Sequence, residues 1–284
     1  MDFEELGRTG VKVPAIGAGT WEMGGDTARN TSNDEESIRA LKRAIELGMS
    51  LIDTAEMYGD GHCEELVGEA IKHFPREQLF IVSKVWRNHM HYRDVIKAAE
   101  HSLKRLQTDW IDLYLVHWPS LEVPMKETME AMERLVERNL VRFVGVSNFD
   151  VDQMTEAKSC SSKVEIVANQ VDYSLVSRSI EKAVLPYCRR YQMTVMAFMP
   201  LARGELARNK FLQDVGKKYG KTAAQVALNW LITQEGVIAI PKAINLDHLE
   251  QNAGASGWTL STEDTEGISH YFLLWPASRN LLQL

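Results

Sequence analysis

LFIVSKVWRNHMHYRDVIKAAEHSLKRLQTDWIDLYLVHWPSLEVPMKETMEAMERLVERNLVRFVGVSN, residues 79–148, decides the fold by its alternation. Three short runs, LFIVSKV at 79–85, IDLYLVH at 111–117 and RFVGVSN at 142–148, are rich in apolar residues. Near-continuous apolar runs of this length mark strands buried on both faces. Between them the period changes. Val95, Ala99, Ser102 and Leu106, and then Met129, Met132, Leu135 and Val136, fall three or four apart. That spacing lays small and apolar side chains along one face of a helix. Strands that alternate with helices predict βαβ units and a parallel sheet.

The same alternation extends to both sides. AIGAG at 15–19 and LID at 51–53 precede the stretch, and VEIVANQ at 164–170, VMAFM at 195–199 and VIAIP at 237–241 follow it. Further helical patterns run through Ile38, Leu41 and Ile45, and through Leu66, Val67, Ala70, Ile71 and Phe74. Ser32-x-x-Glu35 and Thr222-x-x-Gln225 read as capping boxes. Gly48, Asn139 and Gly236 stand where a helix must stop before the next strand, which suits a left-handed terminus. Eight such units fit either an open doubly wound sheet or a closed barrel. The chain has 284 residues with no linker or low-complexity tract, and barrels of this kind take roughly 250 residues or more. The expectation is an α/β fold, one (β/α)₈ TIM barrel domain over residues 1–284. The opening EELGRTGVKVPAIG predicts a short hairpin plugging the barrel floor.

Composition narrows the function classes. Hydrophobic residues at 45% and charged residues at 25% are those of a globular protein with a full core. A net charge of −7 argues against non-specific binding to nucleic acid or an anionic membrane, so an anionic ligand must meet a local basic patch. Nothing in the chain is long and apolar enough for a membrane span, and MDFEELGRTG lacks the apolar segment of a signal peptide. Cys63, Cys160 and Cys188 form no CxxC pair, which predicts reduced thiols and a cytoplasmic location. Gly17-Ala18-Gly19 lacks the third glycine and the following helix of a dinucleotide fingerprint. His89 and His91 have no further ligands at useful spacing, so no metal is expected. Asn30-Thr31-Ser32 matches a glycosylation sequon in letters only.

Polar residues at the C-terminal ends of barrel strands line the active site. Here those ends carry Asp53, with Tyr58 in the loop beyond, then Lys84, His117, Ser147-Asn148, Asn169-Gln170, Phe198 and Lys242. Each also fits a structural role: Asp53 as a helix cap, Lys84 as a snorkelling side chain, His117 as a core histidine. Together they set an acid, a tyrosine, a lysine and a histidine on three consecutive strand tops, and the functional reading wins. The segments LIDTAEMYG, IVSKVW, IDLYLVHWP, VGVSNF, IVANQV and IPKAINLDHLEQN, in this order over nearly the whole chain, resemble the successive signatures of the aldo-keto reductase superfamily.

The resemblance implies hydride transfer between a nicotinamide cofactor and a small carbonyl or alcohol substrate. It implies Tyr58 as proton donor, Lys84 lowering the tyrosine pKa, Asp53 pairing with Lys84, and His117 orienting the carbonyl oxygen. Ser147, Asn148 and Gln170 match carboxamide contacts, and Phe198 stands where many members carry a stacking tyrosine. Leu201 and Arg203 fall at the pyrophosphate, Lys242 at a 2′-phosphate, and Gln251 and Asn252 at adenine. Trp21, Trp86 and Trp118 match aromatic walls of the substrate pocket. The chain departs from the pattern at Ala243 and His248, where NADP-strict members add a hydroxyl and an arginine, so use of both NADP and NAD is expected. A regulatory barrel resembling the β subunits of potassium channels is the alternative, and a barrel isomerase a third. The short tail WTLSTEDTEGISHYFLLWPASRNLLQL predicts an open pocket, with Phe272, Leu273, Leu274 and Trp275 either covering it or packing on the barrel.

Overall fold

The computed structural model describes residues 1–275. Its centre is a barrel of parallel strands: β3 (Ala18–Gly19), β4 (Leu51–Asp53), β5 (Phe80–Val85), β6 (Ile111–Val116), β7 (Val141–Ser147), β8 (Ile166–Asp172), β9 (Thr194–Phe198) and β10 (Val237–Ile240). Each hydrogen-bonds to its sequence neighbour. The seam between β10 and β3 closes through parallel bridges at Ile16–Ala239 and Gly19–Lys242. Across it Gly17 N donates to Ala239 O at 2.9 Å and Gly19 N to Pro241 O at 3.0 Å.

The eight expected strands are therefore all present, with bounds that differ by a few residues. The Ser32–Glu35 capping box is not formed. Helix α1 (Asp34–Glu46) starts after Asn33, and no side chain caps it. Asn33 spends its side chain on the preceding loop instead, accepting from Gly24 N at 3.3 Å. The Thr222–Gln225 box is formed at the start of α8 (Ala223–Ile232). A second box, Asp150–Gln153, opens α5 (Val151–Cys160) and was not expected. Gly48, Asn139 and Gly236 all take positive φ. The other barrel helices are α2 (His62–Ile71), α3 (Tyr92–Leu106), α4 (Met125–Glu137), α6 (Val184–Arg190) and α7 (Lys210–Tyr219). Helices α9 (Leu246–Ala253) and α10 (Thr262–Leu273) follow β10.

Alternation along each strand explains how the barrel builds a site. Every second residue points inward. Leu51, Phe80, Val82, Leu113, Leu115, Met196, Ile238 and Ile240 fill the interior as one apolar cluster. Continuing each inward column one step towards the C-terminal end reaches Asp53, Lys84, His117, Phe198 and Lys242. The columns through Gly145 and Ala168 end likewise in Ser147 and Gln170. Apolar packing below thus places functional groups in one layer above. Gly145 is required in this stack, since a Cβ there would lie 2.6 Å from Leu115 and 2.8 Å from the Ala168 carbonyl.

The floor is closed by the expected hairpin, β1 (Phe3–Glu5) antiparallel to β2 (Lys12–Pro14). Leu6 and Val13 enter the interior cluster fully buried. At the other end of the chain, Phe272 is buried and stacks tilted on Trp275, while Leu273 and Leu274 are exposed. None of the four lines the cavity at the top of the barrel, and Phe272 and Trp275 pack against the core around the barrel; residues 276–284 lie outside the described residues. Among the described residues no helix is long and apolar enough to cross a membrane.

Candidate active site

A cavity of about 640 Å³ opens at the C-terminal end of the barrel. It collects sixteen of the seventeen residues given a site role from the sequence; Asn169, named beside Gln170 at a strand end, does not line it and donates to the Phe149 carbonyl at 2.9 Å. Asp53, Tyr58 and His117 line it beside Trp21, Trp86 and Trp118. Ser147, Asn148, Gln170 and Phe198 continue the wall, and Leu201, Arg203, Lys242, His248, Gln251 and Asn252 complete it. Lys84 is the exception, wholly buried beneath the cavity floor.

Lys84 is the hub of the floor. Its Nζ donates to Asp53 Oδ2 at 2.9 Å, to the Thr54 carbonyl at 2.9 Å and to the Tyr58 hydroxyl at 3.2 Å. Burial opposes its charge, but Asp53 and Tyr58 together hold its pKa above the ordinary lysine value. For Tyr58 the balance falls the other way. Burial pushes the phenol up to about 12, against the pull of the Lys84 ammonium. The lysine acts in the expected lowering direction, and desolvation outweighs it. Tyr58 is a phenol at any ordinary working pH.

Tyr58 reaches this position from a tight turn, residues 58–61, between β4 and α2. Gly59 there has φ 57°, and a Cβ would lie 2.4 Å from the Gly24 carbonyl. Only glycine lets the turn press against the loop that carries Trp21. The Trp21 indole then meets the Tyr58 ring edge-on at 4.8 Å between centroids, and Trp86 meets His117 at 5.0 Å. Burial, and secondarily the Lys84 charge, hold the His117 imidazole well below its ordinary pKa, so it is neutral at pH 7. Its Nδ1 is buried without a hydrogen-bond partner.

The polar edge beyond His117 is internally braced. Ser147 Oγ donates to the Gln170 carbonyl at 2.9 Å, and Asn148 Nδ2 donates to the His117 carbonyl at 3.1 Å. Gln170 departs in part from the expectation. Its Nε2 donates to Asp53 Oδ1 at 2.7 Å, which leaves its side-chain oxygen for a ligand. After β9 the chain bends through Met199, Ala202 and Arg203, all with φ near 50°. Runs of non-glycine residues in this region are rare and gather at binding sites.

A sequence model described as "Aldo/keto reductase family" matches residues 15–271. The chain belongs to the aldo/keto reductase family. It is 43% identical over 259 residues to a methylglyoxal reductase of Escherichia coli, spanning 89% of each. It superposes with TM-score 0.92 and 45% identity on a thermostable aldo-keto reductase solved with the inhibitor epalrestat, covering 95% of this chain and 99% of that one. An aldo/keto reductase from Klebsiella pneumoniae in complex with NADP and acetate gives TM-score 0.88 at 39% identity, with 95% of each chain covered. This aldo/keto reductase is accordingly an NAD(P)-dependent oxidoreductase acting on carbonyl groups.

The cavity of this reductase fits such a cofactor. A dinucleotide needs a flat apolar face, an amide-reading edge and cations for its phosphates. Phe198 offers such a face, Ser147, Asn148 and Gln170 such an edge, and Arg203 and Lys242 such cations, all of them lining this cavity. Two further residues matter that sequence reading passed over. Glu56 accepts from Trp86 N and from His89 Nδ1, the latter at 3.1 Å, and so fixes the loop that carries the Trp86 wall. Glu22, beside Trp21 in the sequence, lines the cavity and pairs with Lys242. Nothing in the local sequence around either residue marks its partner. His91, the other histidine of the HMH pair, bonds Glu127 at 3.2 Å.

Proposed function

We propose that this reductase converts small aldehydes and ketones to alcohols, 2-oxoaldehydes such as methylglyoxal among them, with Tyr58 as the proton donor. The observation that carries this reading is the buried Asp53–Lys84–Tyr58 array beneath a cavity that His117 also faces. The resemblance to a methylglyoxal reductase supports the substrate class.

A bound nicotinamide supplies the hydride. Addition of hydride to a carbonyl carbon leaves an alkoxide, which needs stabilisation and a proton. Tyr58 holds that proton, because burial keeps it a phenol. Lys84, 3.2 Å from the hydroxyl, stabilises the phenolate left when the proton moves. Asp53 keeps Lys84 charged and aimed. Neutral His117 orients the carbonyl oxygen without adding a second positive charge next to Lys84. Trp21, Trp86 and Trp118 form the walls against which a small substrate lies. Phe198 would cover one face of the nicotinamide, and Ser147, Asn148 and Gln170 would read its amide. Leu201 and Arg203 would flank the pyrophosphate, Lys242 and His248 the 2′-phosphate, and Gln251 and Asn252 the adenine.

Both NADPH and NADH serve in this reading. Lys242 offers a point charge without the bidentate fork of an arginine, and Ala243 is buried in the core and offers nothing. The test is a panel of methylglyoxal, simple aldehydes, ketones and secondary alcohols run with each cofactor. Turnover with small aldehydes and either cofactor is expected. Cofactor binding with no turnover on any member would overturn the reading in favour of a regulatory barrel.

A further inference from the structure

Glu22 and Lys242 come from opposite sides of the barrel seam. Gly19, at the end of β3, bridges Lys242, just past β10. Three residues beyond Gly19 the chain turns back, with Glu22 bridged to Gly25. Glu22 holds φ at 66°, a left-handed conformation that non-glycine residues rarely adopt. Asn33 clasps this turn, accepting from Gly24 N at 3.3 Å and donating to the Glu22 carbonyl at 3.5 Å. The outcome is a carboxylate oxygen 3.1 Å from Lys242 Nζ, on the wall of the cofactor cavity.

We propose that Glu22 is a specificity-determining residue: it occupies the Lys242 ammonium and so weakens selection for the 2′-phosphate, keeping NADH competitive with NADPH. The inference rests on the assignment of Lys242 to the 2′-phosphate made above. A 2′-phosphate must share Lys242 with a carboxylate, or displace it and sit beside an unpaired negative charge. A 2′-hydroxyl meets no such opposition. Both coenzymes carry the pyrophosphate, so any effect of Glu22 there is common to both and drops out of their ratio. A phosphate of nearly two charges about 6 Å from a carboxylate, in a water-like dielectric, loses about tenfold in affinity.

Equilibrium titration of NADPH and NADH, read by quenching of tryptophan emission, tests this without turnover. The wild type, Glu22→Gln and Lys242→Met are compared at low salt. Glu22 is more than half exposed, and the glutamine keeps its size, so the fold is not at stake. Glu22→Gln is expected to tighten NADPH about tenfold and NADH less than about threefold, with the difference shrinking as salt screens it. Lys242→Met is expected to weaken NADPH selectively. If Lys242→Met does so while Glu22→Gln moves both coenzymes equally or neither, the role of Glu22 is overturned. If Lys242→Met leaves the ratio of the two coenzymes unchanged, the assignment of Lys242 itself fails and the inference falls with it.

Discussion

Replacing Lys84 by methionine removes one charge of a pair from which water is almost wholly excluded. The lysine side chain is fully buried and that of Asp53 is 6% exposed. Methionine fills most of the same volume, so the cavity left is small and the loss is electrostatic. Asp53 keeps its bond from Gln170 Nε2 at 2.7 Å but loses the ammonium at 2.9 Å. Breaking a buried pair from one side costs about 3–5 kcal/mol. With a urea slope of about 3 kcal/mol/M for a chain of this size, the midpoint should fall by about 1–1.7 M. Asp53→Asn, which strands the lysine instead, should cost a similar amount. The double variant carries no buried charge at this position. Its loss should fall short of the sum of the singles by at least about 2 kcal/mol, the coupling expected of neighbours that share one interaction. Activity should not recover with stability, because Tyr58 still lacks its ammonium. Reduction should remain down about 10²-fold or more in the Lys84 single and in the double. Urea unfolding at pH 7 and initial rates on the same preparations measure both. Additive stability losses, or a double variant that regains activity, would refute the pairing.

Two further outcomes follow from the structure. His117 is held neutral when folded, whereas the unfolded chain takes up a proton below the ordinary value of 6.5. Unfolding therefore binds a proton in acid, so this contribution is fully present above about pH 6.5 and is lost as pH falls, by up to about 1.4 kcal/mol per pH unit. His117→Gln should flatten that part of the stability profile, and an unchanged acid slope in the variant would contradict the burial argument. Asp150→Ala removes a reciprocal cap, Asp150 Oδ1 with Gln153 N at 2.9 Å and Gln153 Oε1 with Asp150 N at 3.0 Å; it should cost about 1 kcal/mol with kcat unchanged, and a melting temperature identical to wild type would show that the cap contributes nothing.

Most of the barrel is legible in the chain because its signals are local. The inward columns that end in Asp53, Lys84, His117 and Lys242 follow from period-two alternation within single strands. Asp150-x-x-Gln153 is equally local and could have been read in the same way as Thr222-x-x-Gln225. Other features depend on partners far apart in sequence. Asn33, the residue before α1, has the chemistry of a cap, but its side chain accepts from Gly24 N and leaves the helix start uncapped. Gln170 meets Asp53 because β8 and β4 face each other across the barrel, and no local pattern encodes that meeting. The Glu22–Lys242 pair arises only when the seam closes. The direction of the Tyr58 shift depends on how deeply the phenol is buried, which residue type and spacing do not specify.

Single-turnover kinetics with Tyr58→Phe isolate the proton transfer assigned to Tyr58. Enzyme saturated with NADPH is mixed with methylglyoxal, and the loss of the reduced nicotinamide signal is followed. Removing one hydroxyl keeps the ring that packs on Trp21, so NADPH affinity should match the wild type. The chemical step should slow by at least about 10²-fold. A variant that binds NADPH normally and oxidises it at the wild-type rate would contradict the assignment of Tyr58 as the proton donor.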